Sequence, residues 1–460
     1  MLLESAYKIA AKILHARLLP IAENLDRESQ CGYRQGRSCS DAIFSVKVVV
    51  QKRKEHDMET WVLFLDLVKA FDRVPRELLW QVLDKSGVPP KLLRILKSLH
   101  QEVTINFEVA GYNKSLNNTV GVKQGDTLGP LLFLFYIAAI LKSWRLTTTT
   151  APCVFMSNPD FIISGRNHLS QGDIFMFRDS AYTDDTVVAF INRENTELGV
   201  NQLISHFSRF GMQIHTGTAR KNSKSEIVFF PRAKRSYSDP SMHDNTDQSA
   251  ILCSNNSHIP VVSKFRYLGS FLDSSTKDHL DVSERIKAAS SAFGTIRKQI
   301  FRNRNIGLIG KSLVYKTAIL PIALYGSQTW TMTAADEQLL SVFHNNCIRT
   351  ISRVTRRIQR RNRISTRQLL SSVDLPDISI LYTRNQLRWA GHMARMDYSR
   401  LPRKFLSSWC PNPRLRGAPS AIYGRSLQHA LRKANIDLDT WFTQAQNRTT
   451  WRGLVQNSHQ

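Results

Sequence analysis

The sequence predicts an α+β protein. Three observations carry that expectation. Helical and strand patterns alternate irregularly, one strand-length run is apolar throughout, and the composition breaks at 232–258 ahead of a long helical stretch. With 460 residues, 42% hydrophobic and 22% charged, the chain is long enough for two or three domains and too apolar for wholesale disorder. Its 63 Lys and Arg against 37 Asp and Glu leave a net +26, which calls for a polyanionic partner, most commonly nucleic acid. No amphipathic anchor stands beside a hydrophobic span, so no membrane partner is expected; the longest apolar run, 128–141, is too short to cross a bilayer. Six scattered cysteines without a C-x-x-C pair read as reduced thiols. With no secretory signal at the start, the expected location is intracellular, in nucleus and cytoplasm.

The elements follow in order. Helical apolar spacing covers 3–19 and 39–55, and "ETWVLFLDL" (59–67) is continuous enough for a central buried strand. Pro75 near its start and Gly87 past its end frame a helix, and a second follows in "PPKLLRILKSLH". Residues 102–109 and 115–122 read as paired strands, 126–144 as a strongly apolar helix, and 173–191 as strand, tight turn, strand. A helix over about 194–210 and a strand at 225–231 close the first domain. The Ser-, Asn-, Asp- and Pro-rich stretch 232–258 reads as a linker or surface loop, and 259–460 as mostly helical.

Three clusters carry chemistry. In "FLDLVKAFD" (64–72), Asp66 sits where the apolar strand ends and a side chain can leave the core. "GVKQGDTLGP" (121–130) is a loop in which Gly125 lets the backbone approach another molecule. In "SAYTDDTVVAF" (180–190), Asp184 and Asp185 stand side by side among strand formers, where two anions repel and lose hydration. Either the pair occupies a solvated turn, or a cation lies between it and a partner. Asp66 and Asp184 converging on Mg²⁺, which takes one or two carboxylates plus substrate phosphates, would supply that cation. Two such ions about 4 Å apart would serve nucleotidyl transfer. Farther on, "RTISRVTRRIQRRNR" holds Arg349, Arg353, Arg356, Arg357, Arg360, Arg361 and Arg363, with Ile348, Ile351, Val354 and Ile358 at helical spacing. It is either a solvated face or a contact with nucleic acid phosphates. Trp389, Trp409, Trp441 and Trp451 read as core residues rather than base-stacking platforms.

Motif order and wording resemble the reverse transcriptase of non-LTR (LINE-like) retrotransposons. "QCGYRQGRSCSDAIF" (30–44), "FLDLVKAFDRVPRELLW", "GVKQGDTLGPLLF", "YTDD", "KSEIVFFP" (224–231) and "FRYLGSFLD" (265–273) fall in that family's order, and "VYKTAILPIALYGSQTW", "FHNNCIRTI" and "QLRWAGHMARMDYSRLPRKFL" resemble its later segment. The resemblance implies a right-hand polymerase fold. Fingers and palm would occupy 1–231, with the fingers incomplete, followed by a helical thumb and basic C-terminal region at 259–460. It implies RNA-directed DNA polymerase activity with an RNA template, a DNA primer or target, dNTPs and two Mg²⁺ ions, with Mn²⁺ as a substitute. Asp66 and Asp184 would be the main metal ligands, with Asp185 secondary. Phe71 would select against a 2′-hydroxyl, or be an ordinary core phenylalanine. Gln124 and Gly125 would line nucleotide and template, and Arg34 would hold triphosphate oxygens or make a surface salt bridge, with Arg37 behind it. Lys224 would protonate pyrophosphate or stand solvated; Asp72 and Asp126 read as helix caps. The chain begins within the fingers pattern and shows no upstream endonuclease, the expectation for a truncated copy. The alternative function is a catalytically inactive remnant that binds nucleic acid.

Overall fold

The computed structural model describes residues 5–25, 28–101, 103–109, 112–123, 125, 127–159, 172–218, 221–233, 250–254, 256–414 and 422–457. It is a mixed α and β structure, as expected. In chain order the elements begin with α1 (Ser5–Glu23), α2 (Cys39–Glu55), β1 (Thr60–Leu65), α3 (Arg76–Lys85) and α4 (Pro90–His100). Next come β2 (Val103–Val109), β3 (Tyr112–Asn118), α5 (Leu128–Thr147), β4 (Cys153–Ser157), β5 (Asp173–Phe177), β6 (Asp179–Tyr182), β7 (Asp185–Phe190) and α6 (Arg193–Arg209). Then β8 (Glu226–Phe230), β9 (Ala250–Leu252), β10 (His258–Val262), β11 (Lys264–Tyr267) and β12 (Ser270–Asp273) lead into the helical part.

Two compact units divide the chain: one of residues 1–42, 58–154 and 176–263, the other of 43–57, 155–175 and 264–460. The first is built on a six-stranded sheet ordered β6-β7-β1-β8-β10-β9. Its middle strand β1 is buried at every position, as a continuous apolar run requires, and pairs antiparallel with both β7 and β8. Helix α5 supplies much of the core, with Leu131, Leu132, Phe133, Phe135, Tyr136 and Ile137 all fully buried. It runs 20 residues, beyond the apolar run that seemed too short for a bilayer, but its side chains are mostly buried inside this unit. That burial is what a core helix needs.

Several expectations need correction here. The second strand of the 102–122 pair lies at Tyr112–Asn118, earlier than 115–122, because the chain past Asn118 is tied down by Arg76. The 173–191 stretch holds three strands: β5 ends at Phe177, and Arg178 donates to the Thr150 carbonyl before β6 begins. The polar 232–258 stretch is not a linker to its end, since Ala250–Leu252 pairs with β10 and extends the sheet.

In the second unit, β11 and β12 form a hairpin. The helices α7 (His279–Ile296), α8 (Leu308–Val314), α9 (Leu320–Ala323), α10 (Ala334–Ser352), α11 (Arg356–Arg361), α12 (Thr366–Ser372) and α13 (Ile378–Ala394) follow. The chain closes with α14 (Leu401–Leu406), β13 (Ser408–Trp409), α15 (Tyr423–Lys433), α16 (Trp441–Gln446) and α17 (Arg448–Asn457). Phe301, Tyr315, Trp330, Ile348 and Ile351 are among its fully buried core. Buried Asp281 accepts hydrogen bonds from the Phe271 backbone N–H (3.0 Å) and Trp330 Nε1 (2.8 Å), and Lys47 of α2 pairs with Asp278 at 2.6 Å. Burial alone would depress the Lys47 ammonium, but Asp278 and Asp281 outweigh it and hold its pKa above the ordinary lysine value.

Candidate active site

Asp66 follows the last residue of β1, where the apolar run stops. The β1–β7 register ends at Leu65 opposite Thr186, and one further step sets Asp66 across from Asp185. Directly opposed residues on an antiparallel pair have side chains about 5 Å apart at Cβ on one face. The Asp66 backbone is committed: its N–H donates to Ser225 Oγ at 3.0 Å and its carbonyl accepts the His215 N–H at 2.8 Å. Only the carboxylate is left to project.

Asp184 occupies the two-residue turn joining β6 and β7, closed by the Tyr182–Asp185 pair. Tight turns of this kind need a positive φ, usually supplied by glycine. Here Thr183 takes φ +63°, a costly conformation for a β-branched residue. Gln30 offsets that cost: its Oε1 accepts the Thr183 N–H at 3.2 Å and the Gly32 N–H at 3.0 Å. A Cβ on residue 32 would lie 2.5 Å from the Thr183 nitrogen, so only glycine fits there. The 29–31 backbone also pairs along the free edge of β6, Cys31 N–H to the Ala181 carbonyl and Ala181 N–H to the Ser29 carbonyl, both at 2.8 Å. Arg145 fastens the same edge by pairing with Asp179 and donating to Ser29 Oγ.

The three carboxylates share one electrostatic neighbourhood. Burial, then the charges of Asp184 and Asp66, push the Asp185 carboxyl up to about 6. Burial and, more weakly, Asp66 raise Asp184, against a backbone hydrogen bond that lowers it. Among the described residues no Lys, Arg or His pairs with any of the three carboxylates, and no three His, Cys, Asp or Glu side chains close into a ready-made metal site. Such an arrangement suits hard divalent cations that keep waters and take further oxygens from a substrate.

The other expected residues are placed variously. Phe71 is half-buried and stacks on Phe133 of α5, with centroids 4.6 Å apart, and its carbonyl accepts the Val122 N–H at 2.9 Å. That bond brings the 121–125 loop beside the 71–74 turn. Gly125 is exposed at φ +99°, the backbone freedom expected of it, while Gln124 and Asp126 lie outside the described residues. Lys224 is exposed; its backbone N–H donates to His215 Nδ1, one residue before the serine that anchors Asp66. Arg34 turns back onto the Gln30 and Glu23 carbonyls, both at 3.4 Å, and Arg37 pairs with Glu28 at 2.6 Å. Asp72 is not the cap of α3: that position is Pro75, with no side-chain cap. Sequence reasoning missed Gln30, Ser225, His215 and buried Arg76, which donates to the carbonyls of Gly121, His100, Asn118 and Val120. An arginine opening an amphipathic helix was the available signal for the last.

In the second unit the arginine-rich stretch is not one helix. Helix α10 ends at Ser352, Arg353 takes φ +58°, and α11 restarts at Arg356 under a Thr355 cap. Ile348 and Ile351 are buried as expected, but Ile358 is exposed. Arg349 is half-buried and donates to Asn346; Arg353 donates to the Asn303 carbonyl at 2.8 Å. Arg356, Arg357, Arg360, Arg361 and Arg363 are exposed, and none of the seven pairs with a described acid. Arg349, Arg353, Arg356, Arg360 and Arg363 border two concavities, one shared with Arg297, Arg302 and Arg304. Trp389, Trp441 and Trp451 are buried, and Trp409 half-buried, as core residues should be.

The family model described as "Reverse transcriptase (RNA-dependent DNA polymerase)" matches residues 1–271. The chain is 24% identical over 368 residues to a Drosophila melanogaster protein named "Probable RNA-directed DNA polymerase from transposon X-element", covering 76% of this chain and 35% of that protein. It is 25% identical over 343 residues to the RNA-directed DNA polymerase from mobile element jockey of the same organism, 72% of this chain and 33% of that one. A transposon-derived protein of Caenorhabditis elegans is 22% identical over 60% of this chain and 94% of its own. The chain thus spans about a third of the length of the two named polymerases.

The raised carboxyl of Asp185 carries a stability consequence. A carboxyl with a folded pKa above its unfolded value favours the folded state below about pH 4, and that contribution is lost as pH rises through about 6. In EDTA at pH 7.5, Asp185→Asn is therefore expected to raise the thermal midpoint by about 2 °C, a small shift because solvent reaches the group, and to change little at pH 4. Scanning calorimetry at both pH values checks this; a lowered midpoint at pH 7.5 would show that the acids do not repel.

Proposed function

The chain belongs to the reverse transcriptase (RNA-dependent DNA polymerase) family, and on that premise we propose that it copies RNA into DNA, adding deoxynucleotides to a DNA 3′ end on an RNA template. The observation that carries the reading is Asp66 at the end of β1, opposite the Asp184–Asp185 turn, with no described cation to neutralise the three. In the terms of a right-hand polymerase, the sheet bearing these acids is the palm, residues 30–44 carry the fingers motif, and the helical stretch 259–460 supplies the thumb and C-terminal region.

Asp66 and Asp184 would hold divalent cations, with Asp185 as a further oxygen donor. Bound there, such cations would supply Lewis-acid activation at the primer hydroxyl and charge neutralisation on the leaving pyrophosphate. Around them the protein's own groups do the rest. Gln30 and Gly32 hold the strained turn so that Asp184 keeps its aim. The Phe71 ring, braced by Phe133, stands against the sugar and excludes a 2′-hydroxyl. Gln124 and Gly125 line the nucleotide and template. Arg34 holds triphosphate oxygens once released from the Gln30 and Glu23 carbonyls, and Lys224 delivers a proton to the departing pyrophosphate. The seven arginines from Arg349 to Arg363 neutralise template or target phosphates.

Primer extension on poly-rA with oligo-dT tests the activity. Asp184→Asn is expected to cut incorporation more than about 100-fold, the scale of several kcal/mol of transition-state charge stabilisation, while RNA retention is unchanged. Wild-type protein that incorporates nothing with Mg²⁺ or Mn²⁺ would leave the nucleic-acid-binding remnant as the reading. A separate assay addresses sugar selection: Phe71→Val is expected to raise incorporation of ribonucleotides relative to deoxynucleotides about tenfold or more. Unchanged discrimination would return Phe71 to the core.

A further inference from the structure

A second cationic groove lies in the second unit, formed by α13 and α17 and distinct in sequence from the 349–363 arginines. Arg388 and His392 fall on one stripe of α13, Arg395 caps its C-terminus, and Arg448 and Arg452 are a turn apart on α17. Among the described residues lining it there is no carboxylate, and Arg388, Arg395, Arg448 and Arg452 pair with no described acid. Arg388, His392, Arg448 and Arg452 are exposed.

The scaffold beneath is rigid. Trp451 is buried and its Nε1 donates to the Leu387 carbonyl at 2.9 Å. A Cβ at Gly391 would lie 2.1 Å from that nitrogen, so the two helices meet there at the closest approach a glycine allows. Arg384 donates to the Gln456 carbonyl at 2.7 Å and Arg395 to the Ala445 carbonyl at 2.6 Å, which ties α13 to both closing helices.

The charge arrangement works against the folded chain by itself. Arg448 opens α17 at the positive end of its dipole, and Arg448 with Arg452 is a like-charge i,i+4 pair. Burial and the charge of Arg448 depress the Arg395 guanidinium. A row of phosphates relieves all of these contacts together, which a solvated face does not.

We propose that this groove binds the phosphodiester backbone of a single nucleic-acid strand, without reading its bases. Arg388 and His392 are about 6 Å apart along α13, the scale of neighbouring phosphates on one strand, and Arg448 and Arg452 of α17 line the same concavity. All five basic side chains line one concavity, so they converge on a single strand rather than on the two backbones of a duplex. The indole of Trp451 is committed to the floor and is not offered for stacking, and the lining is dominated by four arginines, so recognition rests on charge.

Binding is measured without nucleotide, so its outcome is separable from polymerase activity. The full chain is titrated onto fluorescein-labelled 20-mers of single-stranded RNA, single-stranded DNA and duplex DNA, across a salt series. Arg448→Glu/Arg452→Glu is expected to weaken single-strand binding at least about tenfold at 100 mM salt. It should also reduce the slope of log K against log salt by about 1.4, two phosphates at about 0.7 each. Arg448→Lys/Arg452→Lys should keep the slope, which a merely structural role for the two side chains would not predict. Loss with RNA alone, DNA alone or both single strands supports the groove and names its strand. Unchanged affinity and slope in a variant with wild-type thermal midpoint, or a loss confined to the duplex, overturns the proposal.

Discussion

The first unit is organised around an uncompensated charge. Asp66, Asp184 and Asp185 arrive from opposite directions of one sheet, and no described side chain neutralises them. Much of what surrounds them makes sense as the means of keeping that arrangement in place. The β1 core is buried on both faces, so its end cannot shift, and Ser225 and His215 pin the Asp66 backbone on both sides. Left to itself the turn would relax toward a conformation that Thr183 prefers; Gln30 and the edge pairing of 29–31 prevent it.

This is strain supported from outside the element that carries it. A threonine at positive φ costs on the order of 1–3 kcal/mol. The hydrogen bond that Gln30 Oε1 accepts from the Thr183 N–H and the edge pairing of 29–31 with Ala181, each worth about 1 kcal/mol net, are of the right size to hold it. The consequence for function is that residues 30–32, more than 150 positions from the turn, take part in aiming Asp184. Nothing in that segment touches the carboxylate itself; it acts through the backbone of the turn.

The legible parts of this molecule were those written in short-range pattern. A continuous apolar run ending in an acid located β1 and Asp66, and two acids between strand formers located the β6–β7 turn. The apolar helix at 128 was equally visible, though its end was not, because Lys142 to Thr147 continue helical geometry with mixed polarity. What stayed hidden depends on contacts distant in sequence. Ala250–Leu252 lies at the end of a polar stretch and becomes a strand only through pairing with β10. The break at Arg353 has no proline or glycine to announce it; an arginine in the left-handed region ends α10. Gln30, Ser225 and Arg76 looked like ordinary polar residues because the partners that give them their roles are distant in sequence, Thr183 for Gln30, Asp66 for Ser225, and carbonyls 24 to 45 positions on for Arg76.

The central claim is that these three acids jointly bind divalent ions, and the most direct measurement is a Mn²⁺ titration followed by electron paramagnetic resonance, counting free ion against protein. Wild-type protein is predicted to take up Mn²⁺ in competition with Mg²⁺, and Asp66→Asn, altered on a different strand from the acid pair, is predicted to lose that uptake while remaining folded. Equal uptake by the two proteins would contradict the account, since it would place the ion where residue 66 does not reach.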